Sequence, residues 1–369
     1  MNTPSKLTLM RDPYLEWVAE EGLPVYEDFG VDLFAVEPKP WARLDAKGAA
    51  VHLKGRGDFV SMIVMEIDPG ACTSPQRHLY EEVVYVLAGR GSTTVVGADG
   101  HKHTFEWNRG SLFAIPLNAQ YRHFNGSGTE AARMVSTTSL PVVMNMFHNT
   151  RFVFDNPWDF NERIGEEKYF NGEGEFIPRR PGVHMWETNF VPDLATVTLE
   201  ARGERGTGAS IQGFILADGT MHAHISEMPI GSYKKAHRHA ADYHVMCVDG
   251  QGYTLLWNDD DEDFVRVDLK HGTVFAPPDQ MFHQHFNTGT KPARYLATAF
   301  GSTRYPFTAS KRKSKAGAAY LSVKLGGDQI EYADQSPRIA ELYKAATEQL
   351  GVEVRMPTDI PGTVAPSTR

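Results

Sequence analysis

A chain of 369 residues exceeds the about 100–200 residues of a typical domain, so two domains are expected. With 41% hydrophobic residues and 22% charged residues, it has the composition of a globular protein able to bury large cores, and 46 acidic against 37 basic residues (net −9) argue against non-specific binding to nucleic acid or an anionic membrane. No apolar run approaches the roughly 20 residues needed to span a bilayer, and only two cysteines, Cys72 and Cys247, exclude a disulfide framework and fit a reducing, cytoplasmic compartment.

The first residues, MNTPSKLTLMRDPYLEW, carry no apolar core followed by small residues, so no secretory signal is expected. DPYLEWVAEEG predicts a short helix, with Asp12 as N-cap, Pro13 in the first turn, Leu15 and Val18 on one face and Gly22 at its end. Beyond it, runs such as VSMIVMEIDPG, EEVVYVLAGRGSTTVVGADG, GSLFAIP and ARMVSTT alternate with Gly, Pro and Asn-Asp clusters. Period-two alternation with frequent turns predicts an all-β sandwich or barrel. The stretch FDNPWDFNERIGEEKYFNGEGEFIPRRPG breaks that pattern and reads as an inter-domain connection. Cys247, inside VMCV, is expected to pack as a small hydrophobe, and NDDDED at 258–263 to form an acidic hairpin loop. SPRIAELYKAATEQLG predicts a second helix, capped by Ser336, started by Pro337 and ended by Gly351. Its stripe of Ile339, Leu342, Tyr343, Ala346 and Leu350 is expected to dock on the body or on another subunit. The tail MPTDIPGTVAPSTR, rich in Pro and Thr, is expected to be extended or mobile. The predicted layout is an arm (1–45), a β domain (46–150), a connection (151–190), a second β domain (191–310) and an extension carrying the helix (311–369).

An internal repeat joins the two β domains. Gly70, Arg77, His78, Gly89 and Gly91 recur 161 positions later as Gly231, Arg238, His239, Gly250 and Gly252. Gly110, Pro116, His123, Phe124 and Asn125 recur 162 positions later, in GTVFAPPDQMFHQHFN. These paired blocks resemble the two motifs of the cupin superfamily. Gly231, His237, His239 and Gly250 match the first, and Gly272, Pro278, His283 and Asn287 the second, with Gln280 where the family has glycine. The resemblance implies two tandem jelly-roll β-barrels, here with short N- and C-terminal helices, in a protein that forms a homo-oligomer, a dimer or larger.

H-x-H on a strand turns both imidazoles to one face, because side chains alternate with period two. His283 from a later strand completes a facial set that leaves positions open. Imidazole suits Fe, Mn, Zn, Ni and Cu alike. The family's glutamate is missing. Counting back from Gly250 puts Tyr243 in its place, counting forward from His239 puts His244 there, and Asp242 fits neither count. A strand shows the barrel interior one of the two, absent a bulge. His244 is taken as the fourth metal ligand with His237, His239 and His283, and Tyr243 as a proton-transfer group. His285 should face the same way as His283, as an orienting partner or a substrate contact. His222 and His224 share one face of a strand, an outer or interface face unless that strand lines the cup. Arg238 alternates to the opposite face. In the N-terminal copy Gln76 and Tyr121 replace ligands, His78 and Glu82 remain and His123 corresponds to His285, so that copy is expected to be metal-free; the alternative is a site recruiting His123 or Tyr121.

A three-histidine set without the glutamate resembles cupin dioxygenases. That resemblance implies one divalent ion, Fe(II) first with Mn, Zn or Ni as alternatives, acting with Tyr243 and His285 on a small organic substrate. Phe275, Phe282, Phe286 and Trp257 suit an aromatic one, or a packed core. The alternative is redox-neutral chemistry (lyase, decarboxylase, isomerase or hydrolase) with Tyr243 as acid–base group. A third reading is a non-catalytic, storage-like or sugar-binding bicupin.

Overall fold

In both halves of the chain, strands send one set of apolar side chains into a barrel and the other set against the neighbouring barrel. The computed structural model describes residues 9–239, 242–259, 261, 263–307, 320–357 and 360. In the first half, Ala46–Val51, Ser61–Ile67, Ala132–Thr138, Glu82–Ala88 and Leu112–Ile115 lie side by side in one antiparallel sheet. A smaller sheet of Gln120–Asn125, Arg90–Val96 and Lys102–Asn108 forms the other wall. The second half repeats the pattern. Ser210–Leu216, Met221–Met228, Ala293–Phe300, His244–Asp249 and Thr273–Phe275 form the large sheet, and Val265–Lys270, Gln251–Trp257, Phe282–Asn287 and Ala236–His237 the small one. The architecture is the expected all-β pair of tandem barrels.

The two large sheets pack face to face. Met62, Val64, Val83, Tyr85 and Leu87 meet Phe214, Met221, Ala223, Ile225, Met246, Val248 and Leu296 in one continuous buried cluster. Each such aliphatic side chain contributes about 1.5–3 kcal/mol on burial. Thr137 and Thr298 share a 2.9 Å hydrogen bond within this interface. The halves also exchange strands. Gly30–Asp32 from the N-terminal arm pairs with Thr273–Phe275 of the second barrel, and Phe190–Val191 pairs with Leu112–Ile115 of the first.

Helix Pro13–Glu20 starts as expected, with the Leu15 N–H donating to Asp12 Oδ1 at 3.0 Å. Its buried face is Tyr14, Trp17 and Val18, so the larger aromatic rings displace Leu15 to the margin. Together with helices Leu140–Phe147 and Thr150–Phe154 it packs on Ile63, Met65 and Tyr80 of the first barrel. The connection therefore carries structure of its own, and its last part belongs to the second barrel's sheet. Glu175–Arg180 pairs with Val183–Thr188, which adds in parallel to Ser210–Leu216. That sheet begins at 175, ahead of the expected boundary at 191.

Helix Pro337–Gln349 buries Ile339, Ala340, Tyr343 and Thr347 against Tyr233, Tyr253 and Phe286 on the outer face of the second small sheet. Leu350 is 48% exposed, so the apolar stripe stops a turn early, with Thr347 facing inward. The extension also adds strand Gln329–Ile330 beside Ala236–His237. NDDDED joins two antiparallel strands, the expected hairpin, although Asp260 and Glu262 lie outside the described residues, as do 358–359 and 361–369 of the tail. Among the described residues no helix is long and apolar enough to cross a membrane.

The repeated glycines Gly91 and Gly252 sit where strands approach without room for a side chain. A Cβ would lie 2.0 Å from the Phe124 carbonyl oxygen in one case and 1.8 Å from that of Phe286 in the other. Gly91→Ala and Gly252→Ala should each lower stability by about 1–3 kcal/mol, because backbone rather than a flexible side chain must shift. Urea denaturation measures this, and an unchanged midpoint would contradict the packing.

Candidate metal centre

His237, His239 and His283 each offer one ring nitrogen, all within 4.8 Å of one another. His237 and His283 stand directly opposite in register on antiparallel strands, and their ring centroids are 4.3 Å apart. His239 closes the group at 4.6 Å from His283. The His237 Nδ1–H donates to the Lys235 carbonyl at 3.2 Å and the His283 Nδ1–H to that of Met281 at 3.2 Å. Each bond fixes the tautomer that leaves Nε2 as the lone-pair nitrogen, as ligand histidines require. Burial, reinforced by neighbouring imidazoles and the Arg205 guanidinium, holds both rings well below the ordinary histidine range and hence neutral. Three converging neutral imidazoles fit a divalent transition-metal ion, with coordination positions left over.

Strand parity decides the fourth position. On His244–Asp249, Val245 and Cys247 point into the barrel, whereas Met246 and Val248 point into the inter-barrel cluster. His244 shares the second parity. It is buried and lies within electrostatic reach of His52 and Arg56 of the first half. The expected ligand role of His244 is therefore corrected: its side chain leaves the barrel. Tyr243 takes the inward place with its ring 4.3 Å from His239. Asp242, at φ +74°, breaks the strand before this pair, and its carboxylate accepts from the Phe59 N–H.

His285 faces inward as predicted, one step below the three imidazoles, hydrogen-bonded through Nδ1 to Thr254 Oγ1 at 2.9 Å. Backbone carbonyls supply the orienting bonds of His237 and His283 that were expected of His285. His222 and His224, 2.7 Å apart nitrogen to nitrogen, also line the interior, because Met221, Ala223 and Ile225 occupy the interface face of their strand. His222 lies 5.7 Å from the Tyr243 ring. Arg238 turns outward over Phe282, paired with Asp259 and Asp328.

Sequence reasoning missed the cations. Lys234 is buried with Nζ donating to Ser226 Oγ at 2.8 Å, and burial followed by Arg202 and Arg205 pushes it down to about 7. Arg205 is buried too, donating to Gln329 Oε1 at 3.1 Å, and burial followed by Arg202 lowers it to about 10. Arg202 donates to Tyr320 Oη. Burial raises Tyr243 to about 12, so its hydroxyl keeps its proton at neutral pH. The only hint in the sequence was the doublet KK immediately before AHRH. Cys247 is inert, its thiol pushed up to about 12 by burial.

The first barrel holds the same scaffold closed. His78 Nε2 lies 3.0 Å from both Glu82 Oε1 and Tyr121 Oη, and Ser136 Oγ donates to Glu82 Oε2 at 2.6 Å. Gln76 turns away to bond the Arg43 and Ser74 carbonyls. Tyr80 stacks on His78 at 3.7 Å, backed by Phe154 and Trp17. His123 repeats the His285 arrangement, bonded to Thr93 Oγ1 at 2.7 Å. Burial pulls the Glu82 carboxyl up, but His78, Ser136 and Tyr121 outweigh it and hold the group down at about 2.

The proposed ligand set makes a discriminating prediction. Titration of metal-free protein with Mn(II) or Fe(II) should find one tight ion per chain, lost in His237→Ala and His283→Ala and kept in His244→Ala. Equal loss in His244→Ala would refute the placement. For Glu82, a depressed carboxyl contributes stability that is present above its ordinary value of 4.5 and lost as pH falls through about 2. Glu82→Gln should therefore lower stability at neutral pH and flatten its fall between those values, as followed by acid-dependent denaturation.

Residues 63–138 match the cupin domain family. No curated protein matches the chain in sequence. Among solved structures, the oxalate decarboxylase of Lactobacillus farciminis in complex with formate is 16% identical, covering 85% of this chain and 96% of its own at a TM-score of 0.50. The oxalate decarboxylase of Bacillus subtilis is 15% identical, covering 77% and 79% at 0.48. Vicilin from Corylus avellana (hazelnut) is 13% identical, covering 74% and 85% at 0.47. Residues 63–138 thus belong to the cupin domain family, and the repeated motif pair with a second barrel of the same strand plan gives the whole chain a two-barrel, bicupin-type fold.

Proposed function

We propose that this bicupin is a metal-dependent enzyme whose second barrel acts on a small carboxylate substrate by redox-neutral chemistry of the lyase or decarboxylase kind. One arrangement carries the reading: beside His237, His239 and His283 lie the Tyr243 ring, 4.3 Å from His239, and buried cations, with Arg205 acting electrostatically on His237 and His283 and Lys234 on His285. Burying cations is costly unless an anion accompanies them. Lys234 donates to the neutral Ser226 hydroxyl, and a substrate carboxylate would add a negative charge beside it. A bound divalent ion supplies an electrophile that polarises a carboxylate or carbonyl oxygen. Lys234 and Arg205 orient the anion, and the enclosed barrel excludes bulk water. Tyr243, whose ring lies 4.3 Å from His239, holds a proton at Oη that it would give to the carbon left with an electron pair when CO2 departs. The Lactobacillus farciminis oxalate decarboxylase shares this fold and lends the substrate class its first candidate.

The aromatic-substrate version of the dioxygenase reading loses support. Phe282, Phe286 and Trp257 lie on the outer face of the small sheet under the C-terminal extension, and Phe275 is core beside His285. Oxygen consumption separates the two chemistries. Mn(II)-loaded full-length protein, given oxalate and 2-oxo acids, should release CO2 without net O2 uptake. His237→Ala should abolish turnover, and Lys234→Met should raise KM by about ten- to a hundredfold, the value of a buried charged hydrogen bond. Turnover that requires Fe(II) and consumes one O2 per product would instead establish a dioxygenase.

A further inference from the structure

A second group of ligating side chains converges far from the cup, on the surface of the first barrel. His101, His103 and Glu167 each present one donor atom, all within 4.8 Å of one another. His101 immediately precedes the edge strand Lys102–Asn108 and His103 is its second residue, and their two-residue spacing turns both rings to one side, edge to face at 4.6 Å. Glu167 arrives from the turn Glu167–Tyr169 in the inter-barrel connection. Its Oε2 lies 2.7 Å from His103 Nδ1 and 3.6 Å from His101 Nε2. His103 is buried and stacked on Phe170 at 4.3 Å, which fixes one donor by packing. The His101 and Glu167 side chains remain 60% and 65% exposed, so one side of the group stays open to water. A second contact from the connection lies nearby, where the Ala98 N–H donates to Asn161 Oδ1 at 3.2 Å.

We propose that His101, His103 and Glu167 form a second metal site, selective for Zn²⁺, that staples the connection to the edge of the first barrel. Two imidazole nitrogens and one carboxylate oxygen, with water in the fourth position, match tetrahedral Zn²⁺. Mg²⁺ and Ca²⁺ call for sets made of oxygen and are poorly served here. The ion would sit between the three donors, replacing the direct His103–Glu167 hydrogen bond with bonds to both partners. Binding ties the strand to a residue 64 positions further along the chain, so the folded state gains whatever binding free energy the unfolded chain lacks. The proposal uses no residue of the second barrel and stands independently of the enzymatic reading.

Equilibrium dialysis of full-length metal-free protein against Zn²⁺, with elemental analysis, tests it. Wild type should hold two ions per chain and His101→Ala one, with Glu167→Gln binding the second ion at least about tenfold more weakly. His237→Ala should keep the surface ion while losing the one in the cup. Without Zn²⁺ the thermal midpoint of His101→Ala should equal that of wild type, since the ring is exposed, and only wild type should gain the part of the Zn²⁺-induced rise that comes from this site. Equal stoichiometry in wild type and His101→Ala, a second ion bound only at millimolar Zn²⁺, or loss of both ions in His237→Ala would each overturn the site.

Discussion

The two-residue period of the strand governs every feature of the proposed site. Each strand of a large sheet has one face inside its barrel and one against the other barrel, so each side chain serves either the cup or the interface. His222, His224 and Ser226 enter the cup while Met221, Ala223 and Ile225 enter the interface. The same rule separates Tyr243 from His244 at adjacent positions. On the small sheet it sends His283 and His285 inward while Phe282 and Phe286 hold the C-terminal helix outside. A one-residue slip in any of these strands would exchange ligands for core.

The two barrels show what the same scaffold becomes when its interior is filled or left open. In the first, Tyr121 occupies the position corresponding to His283, and its hydroxyl and Glu82 satisfy His78. Helices Pro13–Glu20 and Thr150–Phe154 bring Trp17 and Phe154 behind Tyr80, which stacks on His78. His78, Glu82, Tyr121 and Ser136 are paired with one another, the condition under which a buried network stabilises. In the second barrel, the imidazoles keep lone pairs directed at one another and cations sit beside them. A divalent ion and an anionic ligand would each add a favourable partner to that arrangement.

The repeat, the barrels and the convergence of His237, His239 and His283 were legible in the sequence, because period-two alternation and motif spacing are local properties that a linear reading preserves. The two terminal helices were legible from their end signals, although Ser336 makes no side-chain capping bond, whereas helices Leu140–Phe147 and Thr150–Phe154 were not expected. Asp12 and Pro13 mark a start whatever surrounds them. Which face each helix buries was less so, as Leu15 and Leu350 illustrate, because burial depends on what the helix meets.

Three matters were decided only by the tertiary structure. Counting could not choose between Tyr243 and His244, since Asp242 takes a left-handed conformation and resets the phase of the strand that follows. Arg205, Lys234 and Gln329 gather at the cup from separate segments, one of them in an extension with no motif of its own. Glu167 meets His101 and His103 for the same reason. Sequence by itself determined the fold and the histidine triad, whose members are set by spacing along strands. Charge around that triad is set by loops and strands distant in the chain, and their meeting depends on how the barrels and their extensions close around one another.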